Sequence, residues 1–245
     1  MSPFKVRAVV IPLHDDNPTT TTPYVTYGII IACALVYLVQ HLLLTDVLTR
    51  DAMYAFGAIP AVLTGAKYLP DDVAFIPPWA SVLTSMFLHG GFWHLAGNVL
   101  YLWIFGNNVE EAMGHVRYFL FYVLCGTAAV FAVVLPSPAS EMPLVGASGA
   151  ISGVLGGYLL LYPRARVLLG LPLGFIVVGF GRFPAIWVLA AWFVMQLVMG
   201  GLSAVQSHSE SQGGIAFGAH IGGFIAGLVL VAFFKRRNVP LWRRF

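Results

Sequence analysis

The stretch Gly146-Ala147-Ser148-Gly149-Ala150-Ile151-Ser152-Gly153-Val154-Leu155-Gly156-Gly157 decides how the rest of the chain is read. It holds no charge, Gly149, Gly153 and Gly157 recur every fourth residue, and Ser148, Ser152 and Gly156 form a second smooth row beside them. Small residues at this spacing let helix backbones approach closely in lipid. A second stretch, Gly218-Ala219-His220-Ile221-Gly222-Gly223-Phe224-Ile225-Ala226-Gly227, offers a matching row of Ala219, Gly223 and Gly227, with His220 on the side of Gly223. Packed together, two such helices bring Ser148 and His220 within hydrogen-bond reach. Taken alone, the glycine rows need no more than ordinary helix packing to explain them.

The composition around these stretches makes the same demand. Of 245 residues, 59% are hydrophobic and 9% charged, with a mean hydropathy of +0.84, whereas a soluble domain carries about 25% charged residues. This excludes a water-soluble enzyme, a nucleic-acid binder and a disordered chain, and predicts an integral membrane protein that crosses the bilayer several times. The pI near 9.0 is not a nucleic-acid signal, because the net charge is only +3 and the cations sit beside apolar runs. Such placement speaks to orientation. Cys33 and Cys125 fall inside apolar segments and read as small core residues.

A crossing helix needs about 20 apolar residues. Residues 25–44, 92–109, 118–135, 147–162, 184–200 and 215–234 meet or approach that length, and none contains Asp, Glu, Lys or Arg. The expected fold class is an all-α membrane protein, a bundle of six transmembrane helices. The fourth segment is short and the second carries His94 and Asn98, so both are expected among other helices and not against lipid. The apolar run Leu168 to Gly181 is broken by Pro172 and several glycines, and is expected at the interface instead of across the membrane.

Alternate connections divide the cations unequally. Lys5, Arg7, Arg117, Arg164, Arg166, Arg182, Lys235, Arg236, Arg237, Arg243 and Arg244 fall on one side, against Arg50 and Lys67 on the other. The positive-inside rule then puts both termini in the cytoplasm. The organisation is a cytoplasmic arm (1–24) without the apolar stretch of a signal peptide, a six-span domain (25–234) with a long external loop (45–91), and a basic tail (235–245). The loop mixes Asp46, Asp51, Asp71 and Asp72 with apolar patches, which suggests partial immersion among headgroups.

In this topology the second, fourth and sixth spans all begin at the outer face. At about 1.5 Å per residue, His94, Asn98, Ser148 and His220 then lie within roughly 10 Å of the outer hydrocarbon boundary. Polar groups converging at one depth call for a wetted cavity open to the outside. A neutral imidazole there can take a serine's proton and later protonate a leaving amine. Every Asp and Glu falls outside the six segments, so the available arrangement is a Ser148–His220 dyad. The free N–H groups at the start of the fourth helix, with His94 and Asn98 at i, i+4 on one face, make an oxyanion hole. Gly146 is expected to let substrate backbone approach. His89 reads as a hydrogen-bonding brace. His14, His41, His115 and His208 read as solvated. A zinc site of His89, His94 and His220 is disfavoured, since no HExxH, cysteine or carboxylate accompanies them.

These motifs resemble the rhomboid family of intramembrane serine proteases. Gly146-Ala147-Ser148-Gly149 matches the family's GxSG. Ala219-His220-Ile221-Gly222, running into Gly223 and Gly227, matches its AHxxG-type helix. His89, His94 and Asn98 match its HxxxxHxxxN pattern, and Val109-Glu110 with Gly114 resembles the turn closing that helix. The resemblance covers roughly residues 78–234. It implies a six-helix bundle, Ser148 as nucleophile, His220 as base, and His94, Asn98 and the Ser148 N–H at the oxyanion. It further implies single-span membrane proteins as substrates, the lipid bilayer as surroundings, no metal or organic cofactor, and the compact form found in a prokaryotic cell membrane. A side entrance along 184–200 and a mobile cap at Gly201 to Gly214 go with it.

Two departures stand out. Trp79 is followed by Ala80 where the family often has Trp-Arg. Ser152 occupies the place, four residues after the serine, where many members carry an aromatic that stacks on the histidine, so some other group must orient His220. Two other functions compete. A rhomboid-like escort without catalysis would lack the serine or the histidine, and both are present. A transporter or channel would carry polar residues toward the midplane, and here they stop in the outer half.

Overall fold

The computed structural model of the protein describes residues 10–173, 176–206 and 212–243. Lys5, Arg7, His208 and Arg244, and the centre of the expected cap (207–211), lie outside the described residues.

In chain order the elements are β1 (Ile11–Asp15), α1 (Tyr24–Leu38, prolonged by a π-helical turn at Val39–Leu43), α2 (Asp46–Phe56), α3 (Pro60–Leu63), α4 (Pro78–Thr84), α5 (Phe92–Met113), α6 (His115–Val134), α7 (Ser148–Leu161), β2 (Arg166–Leu173), β3 (Ile176–Pro184), α8 (Ala185–Gln206) and α9 (Gln212–Phe234). Among the described residues four helices are long and apolar enough to cross a membrane: Tyr24–Leu43, His115–Val134, Ala185–Leu202 and Phe217–Phe234. The chain is a mostly helical, multi-pass membrane protein. α5, with 22 residues, is longer than these spans but is more polar, carrying His94, Asn98, Asn107, Asn108, Glu110 and Glu111.

α7 is apolar but has only 14 residues. That is about 21 Å of helix against a hydrocarbon core of about 30 Å. A helix this short keeps its ends satisfied only inside other protein. Accordingly Gly149 through Tyr158 are all buried, with α5, α6, α8 and α9 around them.

The helix seams follow the small residues. A Cβ on Gly149 would meet Ala129, one on Gly153 would meet Cys125, and one on Gly157 would meet Phe121 at 3.1 Å. The every-fourth row of α7 thus faces a descending row of α6. α9 presses its own row onto α7 backbone: a Cβ on Gly223 would collide with the Gly149 carbonyl, and one on Gly227 with the Gly153 carbonyl. Gly157 has Phe121 and Val109 beside it, and it is Gly156 that meets α9 there, at the Phe224 carbonyl. Cys33 and Cys125 are free and buried.

The fold is not all-α. Among the described residues of Leu168 to Gly181, β2 and β3 pair antiparallel, and β1 adds to them as a third antiparallel strand in the order β1-β2-β3. Ile11 pairs with Gly170 and Asp15 with Val167, while Arg166 pairs with Pro184. The segment is too short to span and carries β-branched and aromatic residues at Val167, Val177, Val178, Phe180 and Phe183, which favour strands. The external loop is also not plain coil, since it holds α2, α3 and α4.

Glu110 lies just beyond the 92–109 segment, yet inside the helix. α5 runs to Met113, and Glu110 is 1% exposed. Its carboxylate accepts from Val25 N at 2.9 Å, Thr26 N at 2.8 Å and Thr26 Oγ1 at 2.7 Å. The first two are open N–H groups at the start of α1, where negative charge is favourable, and the third is the Thr26 hydroxyl. His115 Nδ1 lies 2.6 Å from the same carboxylate and His41 Nε2 lies 3.4 Å from the His89 carbonyl, so neither histidine is simply solvated. Gly114, at φ +83°, closes α5 and opens α6.

Candidate active site

The site is assembled at the start of α7. Gly146 N donates to the Ser85 carbonyl at 2.8 Å, which fixes the chain entering the helix. Gly146 has φ +120°, a conformation natural only to glycine. A Cβ there would lie 2.7 Å from both Cε1 and Nε2 of His94 and 3.7 Å from Asn98 Nδ2. On the side where a Cβ would point, the room at Gly146 is therefore taken by the His94 ring. Two residues on, Ser148 is the first residue of α7, with no side-chain cap on the helix. Its neighbouring N–H groups are thus available to a ligand. Ser152 is committed elsewhere, donating to the Ser148 carbonyl at 2.7 Å.

Behind His94 stands a fixed pair. His89 is fully buried. Its Nε2 accepts from Asn98 Nδ2 at 2.9 Å, and its Nδ1 lies 3.1 Å from the Phe87 carbonyl. Since the carbonyl can only accept, Nδ1 carries the proton and Nε2 the lone pair. Burial, first of all, holds this imidazole down to about 4, so it stays neutral in that role. The His89 N–H also donates to Gln40 Oε1 at 3.3 Å, tying α1 to the start of α5. Asn98 keeps a second N–H free of His89.

His220 comes from α9. Its Nδ1 lies 2.9 Å from Gln196 Oε1 of α8, and its ring centroid is 6.0 Å from that of Trp192. Neither Gln196 nor Trp192 was among the site residues read from the sequence. A signal was there: Gln196 is the only strongly polar side chain between residues 184 and 200.

Ser148, His220, His94, Gly146 and Gly149 line one cavity of 670 Å³, bounded by the loop before α5, the loop before α7, and α6 and α9. Asn98 and His89 do not line this cavity; the His89 ring lies behind that of His94, with centroids 5.2 Å apart, and Asn98 is bonded to it. Gly223 sits at the α7–α9 contact, where it lets the helices bearing Ser148 and His220 touch. A hydroxyl, an imidazole and several N–H donors thus open onto one space. Among the described residues, no three His, Cys, Asp or Glu side chains are grouped as a metal would require.

A Rhomboid domain model matches residues 77–237. Rhomboid protein 1, mitochondrial, of Saccharomyces cerevisiae is 30% identical over 195 residues, covering 74% of this chain and 52% of that protein. Rhomboid protease GlpG of Serratia proteamaculans is 28% identical over 215 residues, covering 87% of this chain and 63% of that protein. Rhomboid protease GluP of Bacillus subtilis is 43% identical over 81 residues, 33% of this chain and 15% of that protein. The chain spans about half the length of the yeast relative, and less than two thirds of the other two. Because the relatives include a mitochondrial protein, a prokaryotic source does not follow from the likeness. With the domain model matched from before α4 to the end of α9, the chain belongs to the rhomboid family.

Proposed function

We propose that this chain is an intramembrane serine endopeptidase that cuts single-span membrane proteins within or beside their transmembrane helix. The observation that carries the reading is that Ser148 and His220, from helices in backbone contact, line one cavity with His94. The names of the Serratia and Bacillus relatives, each a rhomboid protease, support it.

In this mechanism the Ser148 hydroxyl attacks the scissile carbonyl while His220 Nε2 takes its proton. The oxyanion of the tetrahedral intermediate accepts hydrogen bonds from the Ser148 N–H, His94 and the free N–H of Asn98. The proton on His220 passes to the leaving amine, which departs and leaves an acyl ester on Ser148. A water molecule, deprotonated by His220, then attacks the ester and restores the serine. Residues on this path supply acid, base, nucleophile and electrostatic stabilisation without a cofactor.

In the same reading α1, α5, α6, α7, α8 and α9 are the six membrane crossings. Both termini lie in the cytoplasm, supported by eleven of the 13 cations falling on one set of connections. The short α7 then starts beneath the outer surface, where water reaches Ser148 through the cavity.

The test uses purified chain in liposomes with a single-span model substrate and a fluorophosphonate label. The parent is expected to cleave and to label, and Ser148→Ala to do neither while unfolding at an unchanged temperature. Labelling that survives in Ser148→Ala refutes the nucleophile.

A further inference from the structure

We infer that Gln196 of α8 is the positioning residue for the base, holding His220 in the tautomer that leaves Nε2 unprotonated toward Ser148. The inference rests on the protease reading above and deepens it. A serine's base must present a lone pair on the ring nitrogen facing the hydroxyl, and a partner on the other nitrogen fixes which one that is. The position four residues after Ser148 does not serve here, because Ser152 is small and its hydroxyl donates to the Ser148 carbonyl at 2.7 Å. The partner on His220 Nδ1 is Gln196 Oε1, at 2.9 Å. A carboxamide oxygen has no proton and can only accept. Nδ1 therefore carries the hydrogen, and the lone pair lies on Nε2.

Burial and packing make the contact directional. Gln196 is 5% exposed. One turn earlier on the same face, Trp192 sets its ring 6.0 Å from the His220 ring, with 39° between the planes. Phe193 stacks on Phe224 of α9 at 4.4 Å, one turn beyond His220. α8 thus offers α9 an aromatic, an amide and a second aromatic contact at adjoining levels, and the amide meets the imidazole. A neutral amide suits a site within the membrane, where an unpaired carboxylate would be costly. It orients the ring without adding a charge. A merely structural pair, in which two buried polar groups satisfy one another, would share this geometry, so the test must read the chemistry.

The parent chain in liposomes is compared with Gln196→Met, similar in length without the amide, and Gln196→Glu, which keeps an acceptor at the same reach. Readouts are the rate of fluorophosphonate labelling, kcat and KM on a single-span substrate, and the nitrogen NMR signals of the His220 ring. Gln196→Met is expected to lower kcat and the labelling rate about tenfold, the worth of one neutral hydrogen bond, with KM unchanged. Its ring signals are expected to lose the pure Nδ1–H form seen in the parent. Gln196→Glu is expected to label faster than Gln196→Met and to keep the Nδ1–H form. Parent-like labelling and ring signals in Gln196→Met overturn the inference while leaving the protease reading intact, as does Gln196→Glu labelling no faster than Gln196→Met. A parent that fails to label, or labels equally as Ser148→Ala, defeats the protease reading itself.

Discussion

In the proposed mechanism Asn98 carries two duties through one amide. One N–H is held by His89 Nε2 at 2.9 Å, and the other remains for an oxyanion. His89 is fully buried, so removing its donor strands a polar nitrogen, at a cost of about 1–3 kcal/mol. Removing an oxyanion donor lowers kcat by about 10²-fold in other enzymes. Asn98→Ala is therefore expected to lower both the melting temperature in detergent and kcat in liposomes, with KM little changed. A variant that melts early but turns over at the parental rate would leave Asn98 with the bracing duty alone. The motif residues were legible at this scale because glycine, serine and histidine at fixed spacings are scarce in an apolar helix. The bond between His89 and Asn98 was not, since a bond between ring and amide depends on how the loop before α5 folds back. Gln196 was missed for a similar reason: its polarity was visible, but its partner is set by the rotation of α8 about its own axis.

At the scale of elements, hydropathy and charge located the helices closely, because lipid enforces length and forbids unpaired charge. They missed the three-stranded sheet. Its strands come from segments at opposite ends of the first 184 residues, and pairing between distant segments leaves no local period to read. The reach of α5 past Val109 was hidden by Glu110, which looks like a loop carboxylate until α1 supplies three donors to it. The seam between α7 and α9 gives a direct test. A Cβ on Gly227 would collide with the Gly153 carbonyl, and backbone cannot turn aside as a long side chain does. Gly227→Ala is expected to destabilise the protein by about 1–3 kcal/mol, as overpacking does. It should also slow labelling of Ser148, although residue 227 lies about two turns from His220. Labelling at the parental rate together with a lowered melting temperature would mean that the seam holds the fold but not the spacing of the reactive pair.

For the molecule as a whole, one titration on the strand side sets a pH dependence. Asp15 is 4% exposed and accepts a 2.5 Å hydrogen bond from the Tyr158 hydroxyl. Burial outweighs that bond and raises the carboxyl to about 6. A folded-state value above the unfolded one means the stabilising effect is complete below about 4 and is lost as pH rises through about 6. Asp15→Asn keeps an acceptor for Tyr158 and cannot ionise. Its stability relative to the parent is expected to grow between pH 4 and pH 7 by about 2 kcal/mol, read from paired melting curves in detergent. A difference that stays constant over that range would show that the carboxyl titrates as a free one.

The strand pairing has a further consequence for counting. Ile11 precedes α1 and Gly170 follows α7, yet the two are partners in one sheet. Beyond α9, Arg236 N donates to the Ala112 carbonyl at the end of α5, and Trp242 N to the Leu160 carbonyl at the end of α7. The three strands and the tail therefore gather at one end of the helices, and in the proposed topology any path between two of them crosses the bilayer an even number of times. In that topology a single extra or missing passage would tear the sheet, so the pairing supports an even count independently of hydropathy.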